Sequence, residues 1–253
     1  MNTMDAYMQL TDESRAKGLK LFKKNDPDMP EEYRKFMVKL LKFGHVENSA
    51  NPNYRDVLAN IAEAGLRYAP NEQAMVIEAE IVKQEVTHGR IVADIIRSLG
   101  EDPYNDQWVG QYAFKIPLEC WCDVAWFHML IDRVGLYVGI EWLGSTYEPL
   151  AKVSDQLEKD EKFHAESGLH FLKEIVNEPK GKREAQRLLA KWWPAALDMF
   201  GRSDSSNSKI YVQWGIKGKT NEELRAQYIA DTVPLIDDLG LEVPDNLANR
   251  KYL

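Results

Sequence analysis

Apolar residues recur at three- and four-residue spacing in long runs broken by proline and glycine, the periodicity of helices that bury one face. Residues 5–24 place Met8, Leu10, Leu19, Leu21 and Phe22 around charges and predict a short amphipathic helix, ended by Asn25-Asp26-Pro27-Asp28-Met29-Pro30. Glu31 to about Asn48 predicts a second, with Tyr33, Phe36, Met37, Leu40, Leu41 and Gly44 on its apolar side. Asn51-Pro52-Asn53 breaks the chain, because proline lacks an amide donor and pushes its predecessor out of the helical region. A shorter helix is expected at 54–67. A long one follows at 70–99, with Pro70 in its first turn and Gly100 at its end. At about 1.5 Å per residue that rod would be about 45 Å long, a length typical of bundles.

The segment 100–116, with Pro103, Trp108 and Gly110, reads as a crossing loop. Residues 117–144 are apolar almost all round, which predicts a central helix, and 147–177 predict another with Pro149 in its first turn. A further helix is expected at 182–200, then a polar, serine-rich loop at 202–209. Thr220-Asn221-Glu222-Glu223 has the capping-box pattern and opens a helix to about Asp231, after which Pro234, Pro244 and Asn246 predict irregular chain. No run has the alternation of a strand. The expectation is an all-α single domain over 1–253, with a four-helix bundle core at about 31–177, additional N- and C-terminal helices, and a helical extension over 178–253.

Two stretches repeat one spacing within this frame: Glu85-Val86-Thr87-His88 and Glu161-Lys162-Phe163-His164. Three residues make nearly one helical turn, so each carboxylate projects from the same face as its imidazole. Two such helices facing each other, with one carboxylate from each of two more, form the site of di-iron and di-manganese four-helix bundles.

Asp132 supplies a fifth donor. It stands alone between Leu130-Ile131 and Val134-Gly135-Leu136, and a buried carboxylate is costly unless paired or bound to metal. Adjacent Arg133 points about 100° away around the helix, an awkward partner. His128, one turn earlier, is either a support for Asp132 or a hydrogen-bonded core residue. Gly135 and Gly139 follow on the same stripe and leave room either for a ligand or for close helix packing. Glu47 is the expected donor from the first bundle helix, Glu63 the alternative and Asp56 a weaker one. Tyr137 is turned away from Asp132, and the Trp192-Trp193 pair is read as packing.

Composition narrows the partners. A net charge of −8 and a pI near 5.3 argue against nucleic acid and anionic membrane surfaces, which need a basic face. The most apolar stretch, 124–143, contains His128, Asp132, Arg133 and Glu141 and so reads as a helix buried in protein rather than lipid. Cys120 and Cys122 are read as free thiols of a reducing cytoplasm, and no secretory signal is visible, so the expected location is cytoplasmic.

The block Lys191-Trp192-Trp193-Pro194-Ala195-Ala196-Leu197-Asp198-Met199-Phe200-Gly201, followed by Thr220-Asn221-Glu222-Glu223-Leu224-Arg225, Thr232-Val233-Pro234 and Val243-Pro244-Asp245, resembles the catalytic subunits of the bacterial ring-1,2-phenylacetyl-CoA epoxidase. Leu130-Ile131-Asp132, Tyr33-Arg34-Lys35, Arg67-Tyr68-Ala69-Pro70 and Glu85-Val86-Thr87-His88-Gly89 also align. The resemblance covers most of 31–245. The family subunit continues well past the last match.

What the resemblance implies is a ferritin-like, carboxylate-bridged di-iron monooxygenase that activates O2 to epoxidise an aromatic acyl-CoA such as phenylacetyl-CoA. The implied ligands are Glu47, Glu85, His88, Asp132, Glu161 and His164. Two iron ions are implied, with a manganese–iron pair open, and so are electrons from an external reductase and a homologous partner subunit. Two other classes are weighed against it: an iron-storing or oxidising protein of ferritin type, which would assemble as a homo-oligomer, and a non-catalytic scaffold subunit.

Overall fold

Long helices formed by the amphipathic runs make up the protein, seen here as a computed structural model that describes residues 18–44, 52–104 and 111–252. Helix α1 spans Glu31–Gly44, α2 Pro52–Tyr68 and α3 Glu72–Ser98. A short 3-10 turn, Tyr112–Lys115, precedes one continuous rod made of α4 (Trp121–Trp126), a π-helical segment (Phe127–Asp132) and α5 (Arg133–Leu143). Then come α6 (Glu148–Val176), α7 (Pro179–Met199), α8 (Ser206–Gln213) and α9 (Asn221–Asp238). The fold is an all-α, ferritin-like bundle in which α6 packs along the whole α4–α5 rod and against α3, while α1 and α2 lie on α3. Among the described residues there is no sheet, and no helix is long and apolar enough to cross a membrane.

Local chemistry explains where helices start. Asn71 caps α3 by accepting the amide of Ala74 at 2.9 Å, which places Pro70 just outside the helix. Thr220 and Glu223 form the reciprocal capping box expected of α9. Pro52 and Pro179 stand at first helical positions, where the missing amide costs nothing, so α2 and α7 begin two and three residues earlier than periodicity suggests.

Other expectations are corrected. Residues 18–24 are not helical. Gly18 adopts φ +71°, and the chain then pairs across to the start of α6, with Phe22 N donating to Thr146 O at 2.7 Å and Glu148 N to Phe22 O at 2.9 Å. Phe22 is buried against Tyr33, so its apolar neighbours reflect an anchored strand-like segment rather than a helix face. Residues 5–17 lie outside the described residues. The serine-rich loop contains α8, capped by Ser205 accepting from Ser208 N. Helix α9 runs through Pro234 to Asp238, because Thr232 and Ile236 are fully buried and hold its last turns against the core.

The Trp192-Trp193 pair is packing, as expected. Both indoles are fully buried, with Nε1 of Trp192 donating to Asp123 Oδ1 at 2.8 Å and Nε1 of Trp193 to Asn246 Oδ1 at 3.0 Å. Each removes about 150–250 Å² from water, a gross gain of roughly 4–6 kcal/mol that fixes α7 on the rod carrying Asp132.

Candidate metal centre

The two Glu-x-x-His motifs face each other across the bundle from α3 and α6. Nδ1 of His88 lies 3.7 Å from Glu85 Oε2 and 3.5 Å from Glu161 Oε1. Nδ1 of His164 lies 3.1 Å from Glu85 Oε1 and 3.6 Å from Glu161 Oε2. Each glutamate thus turns one oxygen toward each histidine. Asp132 joins on the His164 side, its Oδ2 3.9 Å from Nδ1. Among the described residues, Glu85, His88 and Glu161 form one cluster able to hold a metal and Glu85, Asp132 and His164 another, the donor atoms of each within 4.8 Å of one another.

The outward nitrogens are fixed by residues that immediately precede the glutamates. His88 Nε2 meets Asp160 Oδ2 at 3.1 Å, and His164 Nε2 meets Gln84 Oε1 at 2.8 Å. Such contacts orient a ring so that its other nitrogen faces the centre. Neither Gln84 nor Asp160 was expected from the sequence, although both occupy the position before the motif glutamate, a shared register that is the one signal pointing to them. Asp132 is held by His128, whose Nδ1 is 2.6 Å from its Oδ2, while His128 Nε2 reaches Glu78 Oε2 at 3.1 Å. His128 is fully buried with a partner on each nitrogen, and Glu78 is a buried partner that periodicity did not reveal.

The π-helical segment ends on Asp132. Widening of one turn in an α-helix is common at functional sites, and here it spans Phe127–Asp132 and so includes His128. Gly135 lies just beyond: a Cβ there would come within 2.7 Å of the Glu161 carboxyl carbon, so the glycine leaves Glu161 its place. Tyr137 is turned away, its hydroxyl donating to Asp231 Oδ2 at 2.5 Å. Glu63 pairs with Arg67 at the surface. Glu47 lies outside the described residues, as does the side chain of Asp56.

The electrostatics are those of a site built for cations. Burial opposes protonation of His88, yet Glu161 and Glu85 raise its imidazole to about 12, and the same two carboxylates raise His164 to about 10. Burial pushes Asp132 up to about 7, against the pull of His128. Burial works against charge on Glu85 as well, but His164 and His88 hold its carboxyl below the ordinary range. The residues fit a metal on a further ground. Nδ1 of His164 and Oε2 of Glu161 are buried without a hydrogen-bond partner, and each such orphan costs about 1–3 kcal/mol unless something binds it. Metal ions would ligate both atoms and leave the imidazoles neutral.

A cavity of about 130 Å³ adjoins the cluster, lined by Glu85, His88, Asp132 and Glu161 together with apolar side chains that include Ile61, Phe127, Ile131 and Val134. Gln111, Val138, Trp142 and Met199 line both it and a wider cleft of about 530 Å³, whose charged lining is Lys39, Arg202 and Lys217 with Glu141 and Asp204. Lys217 sits on a segment anchored by Glu141, which accepts the amides of Gly218 and Lys219 at 2.8 and 2.7 Å.

Two metal-competent clusters sharing Glu85 on facing helices, beside an apolar cavity, define the class of dinuclear carboxylate–histidine bundle proteins. Residues 98–252, more than half of the chain, match the model of the family described as phenylacetic acid catabolic protein, and the chain belongs to that family. Asp132, Glu161 and His164 fall within the matched span, and Glu85 and His88 precede it. The chain is also similar to a subunit of the 1,2-phenylacetyl-CoA epoxidase of Escherichia coli (strain K12), at 27% identity over 228 residues, covering 86% of this chain and 71% of that protein.

Proposed function

We propose that this chain is the oxygen-activating subunit of a di-iron monooxygenase that epoxidises an aromatic acyl-CoA such as phenylacetyl-CoA. The observation that carries the proposal is the pair of clusters sharing Glu85, buried but for the half-buried Glu161, beside an apolar cavity in a chain similar to a phenylacetyl-CoA epoxidase subunit. Glu85, His88 and Glu161 would hold one iron and Glu85, His164 and Asp132 the other; Glu47 is the proposed sixth ligand. When bound, the irons supply redox chemistry for activating O2 with electrons from a separate reductase, a manganese–iron pair being the variant to test.

The protein's own part is positioning. Ile61, Phe127, Ile131 and Val134 keep water from the face of the cluster and offer an aromatic ring an apolar seat. Lys39 and Lys217 offer positive charge for the phosphates of coenzyme A in the adjoining cleft, where Arg202 is paired with Asp204 and Glu141 also lines the wall. The relative is named as a subunit, which supports assembly with other subunits.

The test is reductant-driven O2 uptake by the iron-loaded protein, with reductase and partner subunit supplied, against a panel of CoA thioesters. Stimulation by phenylacetyl-CoA, with an epoxidised product by mass spectrometry, is the expected result. Uptake that no thioester stimulates would overturn the substrate class.

A further inference from the structure

The two motifs extend beyond their ligands, and the extensions share one register while inverting its chemistry. His88 is strapped by the carboxylate of Asp160, whose Oδ1 accepts from Gln156 Nε2 at 2.8 Å. His164 is strapped by the amide oxygen of Gln84, whose Nε2 donates to Glu80 Oε1 at 3.1 Å. Each strapping residue comes directly before a motif glutamate, and each is held by the residue four positions earlier. The order outward from His88 is carboxylate then amide; from His164 it is amide then carboxylate.

A carboxylate that accepts the outward N–H of a metal-bound imidazole makes the inward nitrogen a stronger donor, and a neutral amide oxygen does so less. Glu85 and Glu161 each face both histidines, so the glutamates do not separate the two positions. On the His164 side, Asp132 has one oxygen engaged by His128, which draws electron density from that ligand as well.

We propose that the two metal positions are inequivalent, the position on His88 holding a divalent ion more tightly than the position on His164, and that Asp160 and Gln84 set the difference as positioning residues. This rests on the dinuclear centre proposed above. It predicts ordered filling of the centre, His88 first.

The test is calorimetric titration of the metal-depleted full chain with Co2+, followed in parallel by visible absorbance. Two events are expected, with dissociation constants separated by roughly 10- to 100-fold. Asp160→Asn should weaken the tighter event by about tenfold or more and leave the other in place, and isosteric Gln84→Glu should tighten the weaker one. His88→Ala should abolish the tighter event in the wild-type background but the weaker one in the Gln84→Glu/Asp160→Asn exchange, a reversal that a merely structural role would not produce. Two equal events in the wild type, or constants that Asp160→Asn and Gln84→Glu leave unchanged, would overturn the inference and leave the centre standing. No Co2+ binding at all would overturn the centre and the inference with it.

Discussion

Nδ1 of His128 lies 2.6 Å from Oδ2 of Asp132 while its Nε2 reaches Glu78, so a single imidazole joins two buried carboxylates. Glu78 and His128 are 0% exposed. Burial opposes charge on His128, and the nearby Glu78 and Asp132 carboxylates overcome it and raise its pKa well above the ordinary range. Removing one partner of a buried charge pair leaves the other uncompensated, so Glu78→Ala should lose about 3–5 kcal/mol in urea denaturation. His128→Leu should cost a similar amount, and the double variant much less than the sum, because the two changes remove one shared interaction. Full additivity would mean the contact contributes nothing.

Gly135 makes the opposite kind of prediction, with stability kept and the centre lost. A Cβ there would meet the Glu161 carboxylate carbon at 2.7 Å and its oxygens at 2.8 and 2.9 Å, and a flexible carboxylate can swing aside where backbone cannot. Alanine also gains about 0.8–1 kcal/mol of helix propensity over glycine. Gly135→Ala should therefore unfold no earlier than the parent on heating yet retain markedly less metal after dialysis. An unfolding midpoint several degrees lower with metal retention unchanged would show that the glycine serves helix packing instead.

How much of this was legible in the sequence differs by kind of residue. The four motif residues and Asp132 were legible because spacing and isolation in an apolar run are one-dimensional signals, and the long helices followed from their 3.6-residue period. Gln84 and Asp160 lay in the same register but carry no apolar pattern, and their role needs the partner helix to be in place. Glu78 is 50 residues from His128, so its pairing is a product of how α3 meets the rod. The π-helical segment and the continuation of α9 past Pro234 are set by packing of Asp132 and Ile236 into the bundle, which local propensity does not encode. Residues 18–24 had helical spacing and became extended because the start of α6 offered Phe22 both backbone bonds and a buried slot.

The shared position of Glu85 gives a stoichiometric prediction. It belongs to both described clusters, whereas His88 and His164 belong to one each. Iron-loaded parent protein should hold about two metals per chain by plasma mass spectrometry. Glu85→Ala should fall toward none, while His88→Ala and His164→Ala should each settle near one. Equal loss in all three would mean that the positions do not fill independently. Unchanged iron content in all three would remove the metal centre altogether.

Lys217 ties substrate binding to pH. Its Nζ donates to Asn221 Oδ1 at 2.7 Å within the wide cleft, and burial lowers its ammonium from the ordinary 10.5 to about 8, outweighing the opposing pull of Glu141 and Glu223. Below that value the side chain is charged and would attract the phosphate of the proposed coenzyme A substrate; above it the charge and the attraction would go. The affinity for a CoA thioester should be flat below about pH 7 and fall as pH rises through about 8 to 9, while Lys217→Arg, charged throughout, stays flat. Lys217→Met should be weak at every pH. The folding term has the opposite direction: the unfolded chain keeps this proton up to the ordinary lysine range, so the burial penalty is present in full below about 8 and disappears as pH rises toward about 10.5, adding stability in that window. Calorimetric titration and denaturation at matched pH values separate the two effects. An affinity that Lys217→Met leaves intact across the range would place the phosphates elsewhere on the protein.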